Sequence, residues 1–280
     1  MDRLTDWLGQ HHIRLDKAQA LSGGDINAVF KLWTDRGELV VKCNSASRFP
    51  AMFEAEARGL RLLASTHTLR IPEVIAFGEI EDDAFLLLEF LDGGGPATGF
   101  WERFGQRLAV LHSNSRDLFG LDHDNYIGSL PQTNQAEETA HAFYLGQRLA
   151  PQVELARSNG YTLQDFDRFA GRLPELLPDE PPALVHGDLW SGNYMMTTGG
   201  EPALLDPAVA YAPREMDLGM MHLFGGFPGP LFEAYEEMFP LVTGWRDRLP
   251  IWQLYYQLVH LNLFGPSYLG GIEQTLQRFV

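Results

Sequence analysis

Cysteine is almost absent from this chain, with Cys43 as the single example in 280 residues. A lone cysteine excludes an intrachain disulfide, so we expect a protein of the reducing cytoplasm. Cys43 follows a short β-branched run, and this context predicts a small buried strand residue rather than a reactive thiol. The sequence leaves open whether oxidation of Cys43 regulates the protein.

Positive charge is also scarce. Lysine occurs only at Lys17, Lys31 and Lys42, and the formal net charge is −16. Such an acidic surface repels nucleic-acid phosphates and anionic membranes, so we expect neither as a partner. An anionic nucleotide would need local positive charge, which makes each lysine informative.

Long apolar runs are missing as well. The most apolar stretch, residues 84–91, contains Glu89 and is far too short to span a bilayer, so the sequence predicts a soluble protein. Apolar residues make up 45% of the chain and charged residues 21%. These fractions are ordinary for a globular protein and exclude extensive disorder.

The first ninety residues predict a small β-rich lobe. Strand patterns cover residues 21–33, 39–42, 74–79 and 84–91, the last two as a hairpin. Residues 51–65 instead carry an apolar stripe with helical spacing, formed by Phe53, Ala57, Leu60 and Leu63. Residues 92–96, Asp-Gly-Gly-Gly-Pro, are too rich in glycine for either element and form a linker.

The remainder of the chain is predominantly helical. Helical patterns cover residues 100–112, residues 137–159 with a break expected at Pro151, residues 163–177, and the region from 215 onwards. Short strands are expected at residues 183–186 and 203–206. We therefore predict an α+β, protein-kinase-like bilobal fold, with a nucleotide-binding N-terminal lobe over residues 1–91 and a larger catalytic and substrate lobe over residues 92–280.

The motif that carries the chemistry is His186-Gly187-Asp188, followed by Asn193. His-x-Asp with an asparagine five residues after the aspartate is the pattern of a protein-kinase-like catalytic loop. Turn chemistry alone would favour Gly, Asp and Asn here, but the conjunction with Asp206 favours phosphotransfer, since an apolar run precedes each aspartate.

Each member of this motif has a predicted role. We predict that Asp188 orients and deprotonates a hydroxyl, while Asn193 and Asp206 hold Mg²⁺ through hard oxygen ligands. His186 is expected to form structural hydrogen bonds. Asp217, on the helix that follows, is expected to brace the backbone N–H groups of the catalytic loop.

Lys42 ends an apolar strand, and the presence of an isolated cation at such a position requires an explanation. It could be an edge-strand lysine that discourages aggregation, or it could contact the α- and β-phosphates of ATP. Glu56 favours the second interpretation, because it lies beside the buried stripe of the following helix and needs a partner. Glu54 is a weaker candidate, since it lies on a different side of the helix.

Three further features have two interpretations each. Gly23 and Gly24 could bring backbone N–H groups close to phosphates, or form an ordinary turn. The segment Glu89, Phe90 and Leu91 could be a core strand and also the hinge that binds adenine through the backbone of Glu89 and Leu91. Trp190, inside the catalytic loop, could be a core anchor or a flat platform for the apolar face of a sugar.

Longer matches extend over the whole chain. They comprise Gly23-Gly24-Asp25-Ile26-Asn27, Val41-Lys42, Phe53-Glu54-Ala55-Glu56, Phe119-Gly120, Asp124-Asn125-Tyr126-Ile127-Gly128, Pro131-Gln132-Thr133-Asn134, Phe143-Tyr144, Arg148-Leu149-Ala150-Pro151-Gln152, the block from His186 to Asn193 with its Trp190, Asp206-Pro207-Ala208, Leu254-Tyr255-Tyr256 and Leu263-Phe264-Gly265. With these motifs the chain resembles the fructosamine kinases, including the related ketosamine-3-kinases of bacteria. The block Asp-Leu-Trp-Ser-Gly-Asn is more specific than the His-x-Asp pattern shared with aminoglycoside and choline kinases.

This resemblance implies ATP-dependent, Mg²⁺-dependent phosphorylation of the 3-hydroxyl of a ketoamine, and hence deglycation. By carry-over Asp188 is the base, Lys42 and Glu56 are the nucleotide pair, Asn193 and Asp206 are the metal ligands, and the adenine hinge runs from Glu89 to Leu91. Family members usually carry a tryptophan where this chain has Ala140; this departure leaves catalysis untouched, and the sequence leaves open its effect on local packing and on the acceptor pocket.

Two other functions compete with this one. Another small-molecule kinase of the same fold could act on an aminoglycoside or choline, and a catalytically silent chain could bind a nucleotide or a partner. The sequence leaves open the sugar and the amine, whether the substrate is free or protein-bound, and the oligomeric state.

Overall fold

A computed structural model of the protein describes residues 1–21, 26–95 and 97–280. The strands are β1 (Leu15–Leu21), β2 (Ala28–Thr34), β3 (Gly37–Ser45), β4 (Val74–Ile80), β5 (Asp83–Glu89), β6 (Asn125–Ile127), β7 (Leu130–Gln132), β8 (Ala183–Val185), β9 (Tyr194–Met196), β10 (Pro202–Leu204) and β11 (Ala210–Ala212). The helices are α1 (Asp2–Gln10), α2 (Met52–Ser65), α3 (Phe100–His112), α4 (Ala140–Phe143), α5 (Ala150–Ser158), α6 (Phe166–Leu176), α7 (Glu215–Phe224), α8 (Gly229–Met238), α9 (Trp245–Phe264) and α10 (Leu269–Phe279). The predicted α+β class is therefore confirmed.

The chain divides into two compact units. The first comprises residues 1–100 and 195–206, and the second comprises residues 101–194 and 207–280. Residues 195–206 of the first unit thus follow residues 101–194 of the second unit in the sequence. The boundary at residue 91 that the sequence suggests stays a prediction.

The first unit is built on a five-stranded antiparallel sheet in the order β1-β2-β3-β5-β4. Successive side chains of a strand point to opposite faces, so Val41 and Lys42 of β3 lie on different sides of this sheet. Val41 belongs to a buried cluster that includes Trp7 and Leu8 of α1. Lys42 therefore lies on the sheet face opposite Val41. On that face its ammonium group can reach Glu56 of α2.

Helix α1 and strand β1 are absent from the sequence-based prediction, which had only four strands in this region. Strand β1 contains no fully buried residue and obtains its conformation from pairing with β2. Helix α1 is too short to be stable alone. Burial of Trp7 and Leu8 against the sheet contributes roughly 2 kcal/mol per side chain and compensates for that shortness.

The segment from residue 195 to residue 206 forms the β9–β10 hairpin. It joins the first unit through isolated bridges between Arg70 and Ala203 and between Gly93 and Thr197. The backbone of Arg70 makes two of the hydrogen bonds, accepting from Leu204 N at 2.9 Å and donating to Pro202 O at 3.3 Å. These bonds fix the end of β10, and Asp206 follows immediately.

The second unit is mainly helical, and its core surrounds α9. Trp252, Tyr255 and Tyr256 of this helix are fully buried and belong to one large apolar cluster with residues from α5, α6, α7 and α10. Two short antiparallel pairs, β6 with β7 and β8 with β11, complete the unit. The β8 strand leads directly into His186.

Pro151 does not break the helical region, contrary to the prediction from sequence. It lies in the first turn of α5, directly after a π-helical segment over Tyr144–Leu149. Proline is tolerated in a first turn because its missing N–H has no necessary partner there. A π-helical turn is wider than an α-helical turn, so this segment changes the helix geometry before the proline without interrupting the helix.

Among residues 1–21, 26–95 and 97–280, no helix combines the length and the apolar character that crossing a membrane requires.

Cys43 lies on β3 and is only partly exposed. Burial, together with the charge of Asp83, raises the pKa of its thiol to about 12. Because only the thiolate reacts, iodoacetamide at pH 8 should alkylate folded Cys43 slower than an ordinary thiol, on the order of 10³-fold. Mass spectrometry of timed samples measures the rate, with the urea-unfolded chain as the control. Equal rates in the folded and unfolded chain would contradict the prediction.

Candidate active site

Lys42 is the centre of a buried charge cluster in the first unit. Its Nζ atom lies 2.6 Å from Glu56 Oε1 and 2.6 Å from Asp206 Oδ1. The Lys42 and Glu56 side chains are 7% and 11% exposed, while that of Asp206 is 52% exposed. One ammonium group on β3 thus contacts both helix α2 and the loop after β10. Asp206 on that loop lies 164 residues from Lys42 in sequence.

The sequence indicates Glu56 rather than Glu54 as the partner of Lys42, and the structure has this arrangement. Glu54 is exposed to solvent, whereas Glu56 lies partly covered beside buried Ala57 and Leu60. Phe53 and Leu63 complete the apolar stripe that the sequence predicts. The stripe fixes the rotation of α2 and so directs Glu56 towards the sheet.

The electrostatics of the cluster keep Lys42 charged. Burial lowers the pKa of Lys42, but the carboxylates of Asp206 and Glu56 outweigh burial and raise it above its ordinary value. Burial raises the pKa of Glu56, an effect that the Lys42 charge opposes. Lys42 is therefore a cation at any physiological pH, as a contact to phosphates requires.

Asp206 has an unusual backbone. Its φ is +54°, in the left-handed region that residues other than glycine seldom adopt. Aspartate tolerates this region better than most residues, and such outliers cluster at functional sites. The conformation turns the chain directly after β10 and directs the Asp206 carboxylate to Lys42.

The predicted hinge begins where β5 ends. The Glu89 N–H donates to Glu73 O at 2.9 Å, and the Glu89 carboxylate accepts from Glu73 N at 3.1 Å and pairs with Arg70. The Glu89 N–H is thus occupied within the first unit. Phe90 lies against Lys31, whose Nζ is 3.6 Å from the ring centroid.

Gly23 and Gly24, the predicted phosphate-binding glycines, lie outside the described residues.

The catalytic loop of the second unit begins directly after β8. Asp217 accepts from His186 N at 2.7 Å and from Gly187 N at 2.8 Å, which confirms the bracing role predicted for it. Gly187 has φ +84°, and a Cβ there would overlap the carbonyl oxygen of Ala208. Ala208 in turn donates its N–H to His186 O at 2.9 Å. Only glycine fits between these two segments.

Asn193 closes the loop on Asp188. Its Nδ2 atom donates to Asp188 O at 2.8 Å and to Asp188 Oδ2 at 3.0 Å, and its own N–H donates to Trp190 O at 3.0 Å. Asn193 is only 5% exposed. The carboxamide therefore orients the Asp188 carboxylate from within the same short loop.

Trp190 is 40% exposed, which excludes the core-anchor interpretation. Its indole covers Gly192, where a Cβ would overlap the ring. The ring therefore packs against the loop that contains Asp188 and Asn193. A flat, half-exposed aromatic surface of this kind is suited to the apolar face of a sugar.

Three residues of the site region escaped prediction from sequence. Arg70 connects Glu89 with the strand before Asp206, His112 lies 3.1 Å from Asp217 Oδ2 through Nε2, and the Tyr256 hydroxyl donates to Gly187 O at 3.0 Å. His112 also contacts the Tyr235 hydroxyl at 2.8 Å through Nδ1. The only signals in the sequence were a lone histidine in the helical segment 100–112 and the Leu254-Tyr255-Tyr256 match, which carried no assigned role; nothing local marks Arg70.

Asp206 and Asn193 have the donor chemistry that Mg²⁺ prefers, since each offers a hard oxygen. Asn193 uses its amide nitrogen towards Asp188, and the oxygen is the atom of a carboxamide that can be a metal ligand. In the described parts of the chain, no three His, Cys, Asp or Glu side chains are grouped to hold a metal ion.

The chain is similar to known proteins over its whole length. The sequence model of the fructosamine kinase family matches residues 2–280. A protein of Lactiplantibacillus plantarum named "Probable ketoamine kinase" is 40% identical over 280 residues, covering 98% of both chains. A solved candidate fructosamine-3-kinase of Thermobifida fusca YX-ER1 superimposes with TM-score 0.89 at 31% identity, covering 99% of this chain and 98% of the other.

A more distant likeness concerns the fold alone. A thermostable mutant of an aminoglycoside phosphotransferase, solved as a ternary complex with AMP-PNP and hygromycin B, has TM-score 0.66 at 17% identity and covers 98% of this chain and 96% of that one. Together with the higher-identity match, it confirms the protein-kinase-like fold class.

The buried Asp217 carboxylate should stabilise the fold in a pH-dependent way. Burial opposes its ionisation, but hydrogen bonds and the charges of His112 and His186 lower its pKa below the ordinary value. Its contribution is therefore present above the unfolded pKa of about 3.9 and is lost as the pH falls through the lower folded pKa. Asp217→Asn should cost about 2–3 kcal/mol of unfolding free energy at pH 7 and at pH 5, and less below about pH 4.

Urea unfolding at these pH values measures the effect. Asp247→Asn is the matched control, because the Asp247 side chain is 85% exposed and its loss should change stability by less than about 0.5 kcal/mol. A cost at pH 7 no larger than that of the control would contradict the prediction.

Proposed function

This chain belongs to the fructosamine kinase family, and from that premise we propose that it transfers the γ-phosphoryl group of ATP to the 3-hydroxyl of a ketoamine. The observation that carries the proposal is the Lys42 ammonium, buried at 2.6 Å from both Glu56 and Asp206. Burying a cation between two carboxylates has a large desolvation free energy, which a function of the cation would explain. Phosphate binding is such a function.

In this proposal Asp188 is the general base. The acceptor hydroxyl gives its proton to the Asp188 carboxylate as the hydroxyl oxygen forms its bond to the γ-phosphorus, and the bond from that phosphorus to the bridging oxygen of ADP breaks. The Asn193 amide, 3.0 Å from Asp188 Oδ2, holds the carboxylate in one orientation. Positioning of this kind supplies much of the rate in phosphoryl transfer.

Lys42 is assigned to the α- and β-phosphates of ATP, with Glu56 holding its ammonium in place. Asp206 and Asn193 are assigned as the protein ligands of Mg²⁺. When bound, the ion would neutralise charge on the phosphates. The backbone of Glu89 and Leu91 is assigned to adenine, and Phe90 separates these two positions.

Trp190 is assigned to the sugar part of the acceptor. Its half-exposed ring lies on the same loop as Asp188, so a sugar that stacks on it would bring its hydroxyl groups towards the base. A phosphate placed at the 3-position of a ketoamine is readily eliminated, because the neighbouring carbonyl allows enolisation. The product would then break down, which makes removal of glycation adducts the implied role.

Asp188→Asn should remove the general base and reduce ATP-dependent phosphorylation on the order of 10³-fold. The assay follows ADP release and product by NMR over a panel of ribulose, erythrulose and fructose adducts, with choline and an aminoglycoside included. We expect phosphate at the 3-position of at least one ketoamine. Turnover of choline or the aminoglycoside alone would identify a different kinase, and an unchanged rate in Asp188→Asn would remove Asp188 from the mechanism.

Lys42→Met should reduce kcat/KM for ATP on the order of 10²-fold, because it removes the cation assigned to the phosphates. Lys17→Met is the matched control: Lys17 also belongs to the sheet of the first unit, but it is exposed and its Nζ lies 4.5 Å from the centroid of the Trp33 ring. The control should retain kcat/KM within about twofold. Circular dichroism of both variants establishes that they are folded, and an equal loss in both would contradict the assignment of Lys42.

A further inference from the structure

Gly187 is held at both of its peptide groups. Its N–H donates to Asp217 Oδ1 at 2.8 Å, and its carbonyl oxygen accepts from the Tyr256 hydroxyl at 3.0 Å. Glycine has the widest range of backbone conformations of any residue, and Gly187 sits at φ +84°. Without these two bonds the chain could leave Gly187 in several directions, and Asp188 is the next residue.

Asp188 is restrained from its other side by Asn193, whose Nδ2 atom contacts both the carbonyl and the carboxylate of Asp188. The peptide group before Asp188 is therefore fixed by Tyr256, and the groups after it are fixed by Asn193. Within the loop the Asp188 N–H also donates to His186 Nδ1 at 3.3 Å, and the Asp188 carbonyl oxygen also accepts from Trp190 N at 3.1 Å. Tyr256 differs from these partners because it belongs to the packed helix α9, so its bond ties the Gly187–Asp188 peptide group to the core of the unit.

Tyr256 is well suited to act as a rigid donor. It is fully buried on α9, and it lies 69 residues from Gly187 in sequence. Helix α9 is itself fixed by Trp252 Nε1, which donates to Glu215 Oε2 at 2.7 Å, and by the Tyr144 hydroxyl, which donates to Ile251 O at 2.5 Å. Burial raises the pKa of Tyr256 well above its ordinary value, so the hydroxyl keeps its proton.

We propose that Tyr256 is a positioning residue for Asp188: its hydroxyl fixes the Gly187–Asp188 peptide group and thereby the orientation of the catalytic carboxylate. This inference rests on the proposed function, in which Asp188 is the base. It adds a residue of the C-terminal helical core to the determinants of the rate, although that residue need not touch the substrate.

The neighbouring Tyr255 provides a matched control. Its side chain is equally buried, its ring centroid is 5.1 Å from that of Tyr256, and its hydroxyl also makes a buried hydrogen bond, donating to Gln132 Oε1 at 2.5 Å. That bond does not involve the catalytic loop. Tyr255→Phe and Tyr256→Phe therefore each remove one hydroxyl and one buried bond from the same helix.

The test compares steady-state kinetics of the full-length variants. Tyr256→Phe should lower kcat about tenfold, because a small misplacement of a catalytic group is costly, with KM for ATP unchanged. Tyr255→Phe should keep kcat within about twofold although both variants lose one hydrogen bond. Equal losses of kcat in the two variants, or no loss in Tyr256→Phe, would overturn the proposal.

A double variant separates positioning from general damage. In an Asp188→Asn background the carboxylate is gone, so Tyr256→Phe should reduce the residual rate by less than about twofold. A merely structural role would reduce it by the same factor as in the parent, which would also overturn the proposal. If Asp188→Asn keeps the parental rate, the proposed function fails; if Asp188→Asn is inactive and Tyr256→Phe is normal, only the positioning role fails.

Hydrogen exchange gives a readout that needs no turnover. Peptides covering residues 184–190 should exchange faster in Tyr256→Phe than in Tyr255→Phe, because the loop has lost one of its hydrogen bonds to the helical core. Identical exchange in this segment for both variants would contradict the proposal even if activity is too low to measure.

Discussion

A fully buried carboxylate must be compensated by hydrogen bonds and positive charge, or its burial destabilises the fold. Asp217 is compensated by the N–H groups of His186 and Gly187 and by His112. The geometry of the catalytic loop is therefore a consequence of satisfying one buried charge. Asp188 follows directly, so the placement of the proposed base depends on the stability of the second unit's core.

The first unit contains a charge of the opposite sign under the same constraint. Lys42 is buried on the sheet face opposite α1, and its ammonium is compensated by Glu56 and Asp206. The Asp206 carboxylate reaches it through a left-handed backbone conformation after β10. In both units, then, a residue assigned to the proposed mechanism is held in place because a buried charge needs partners that the local sequence does not supply.

Several parts of this architecture could be predicted because their signals are local. The apolar stripe of α2, the continuous apolar run of β5 and the bounds of α3 follow from the local pattern of apolar residues. Strand β1 could not be predicted, since its exposed residues carry no strand pattern until β2 pairs with them. The predicted helix break at Pro151 was wrong for a related reason. The π-helical segment before it is a property of tertiary packing around Tyr144, not of the residues beside the proline.

Sequence alone determined which groups are present and which family they belong to, because residue types at fixed spacings, such as Asp188 with Asn193, are written directly in the chain. Sequence also selected Glu56 over Glu54, since helical geometry places only one of them beside the buried stripe. Only the tertiary structure decided that Trp190 is exposed, that Arg70 links Glu89 to the strand before Asp206, and that Tyr256 holds Gly187. These contacts join residues far apart in the chain, and their existence depends on how the helices and strands pack rather than on any local pattern.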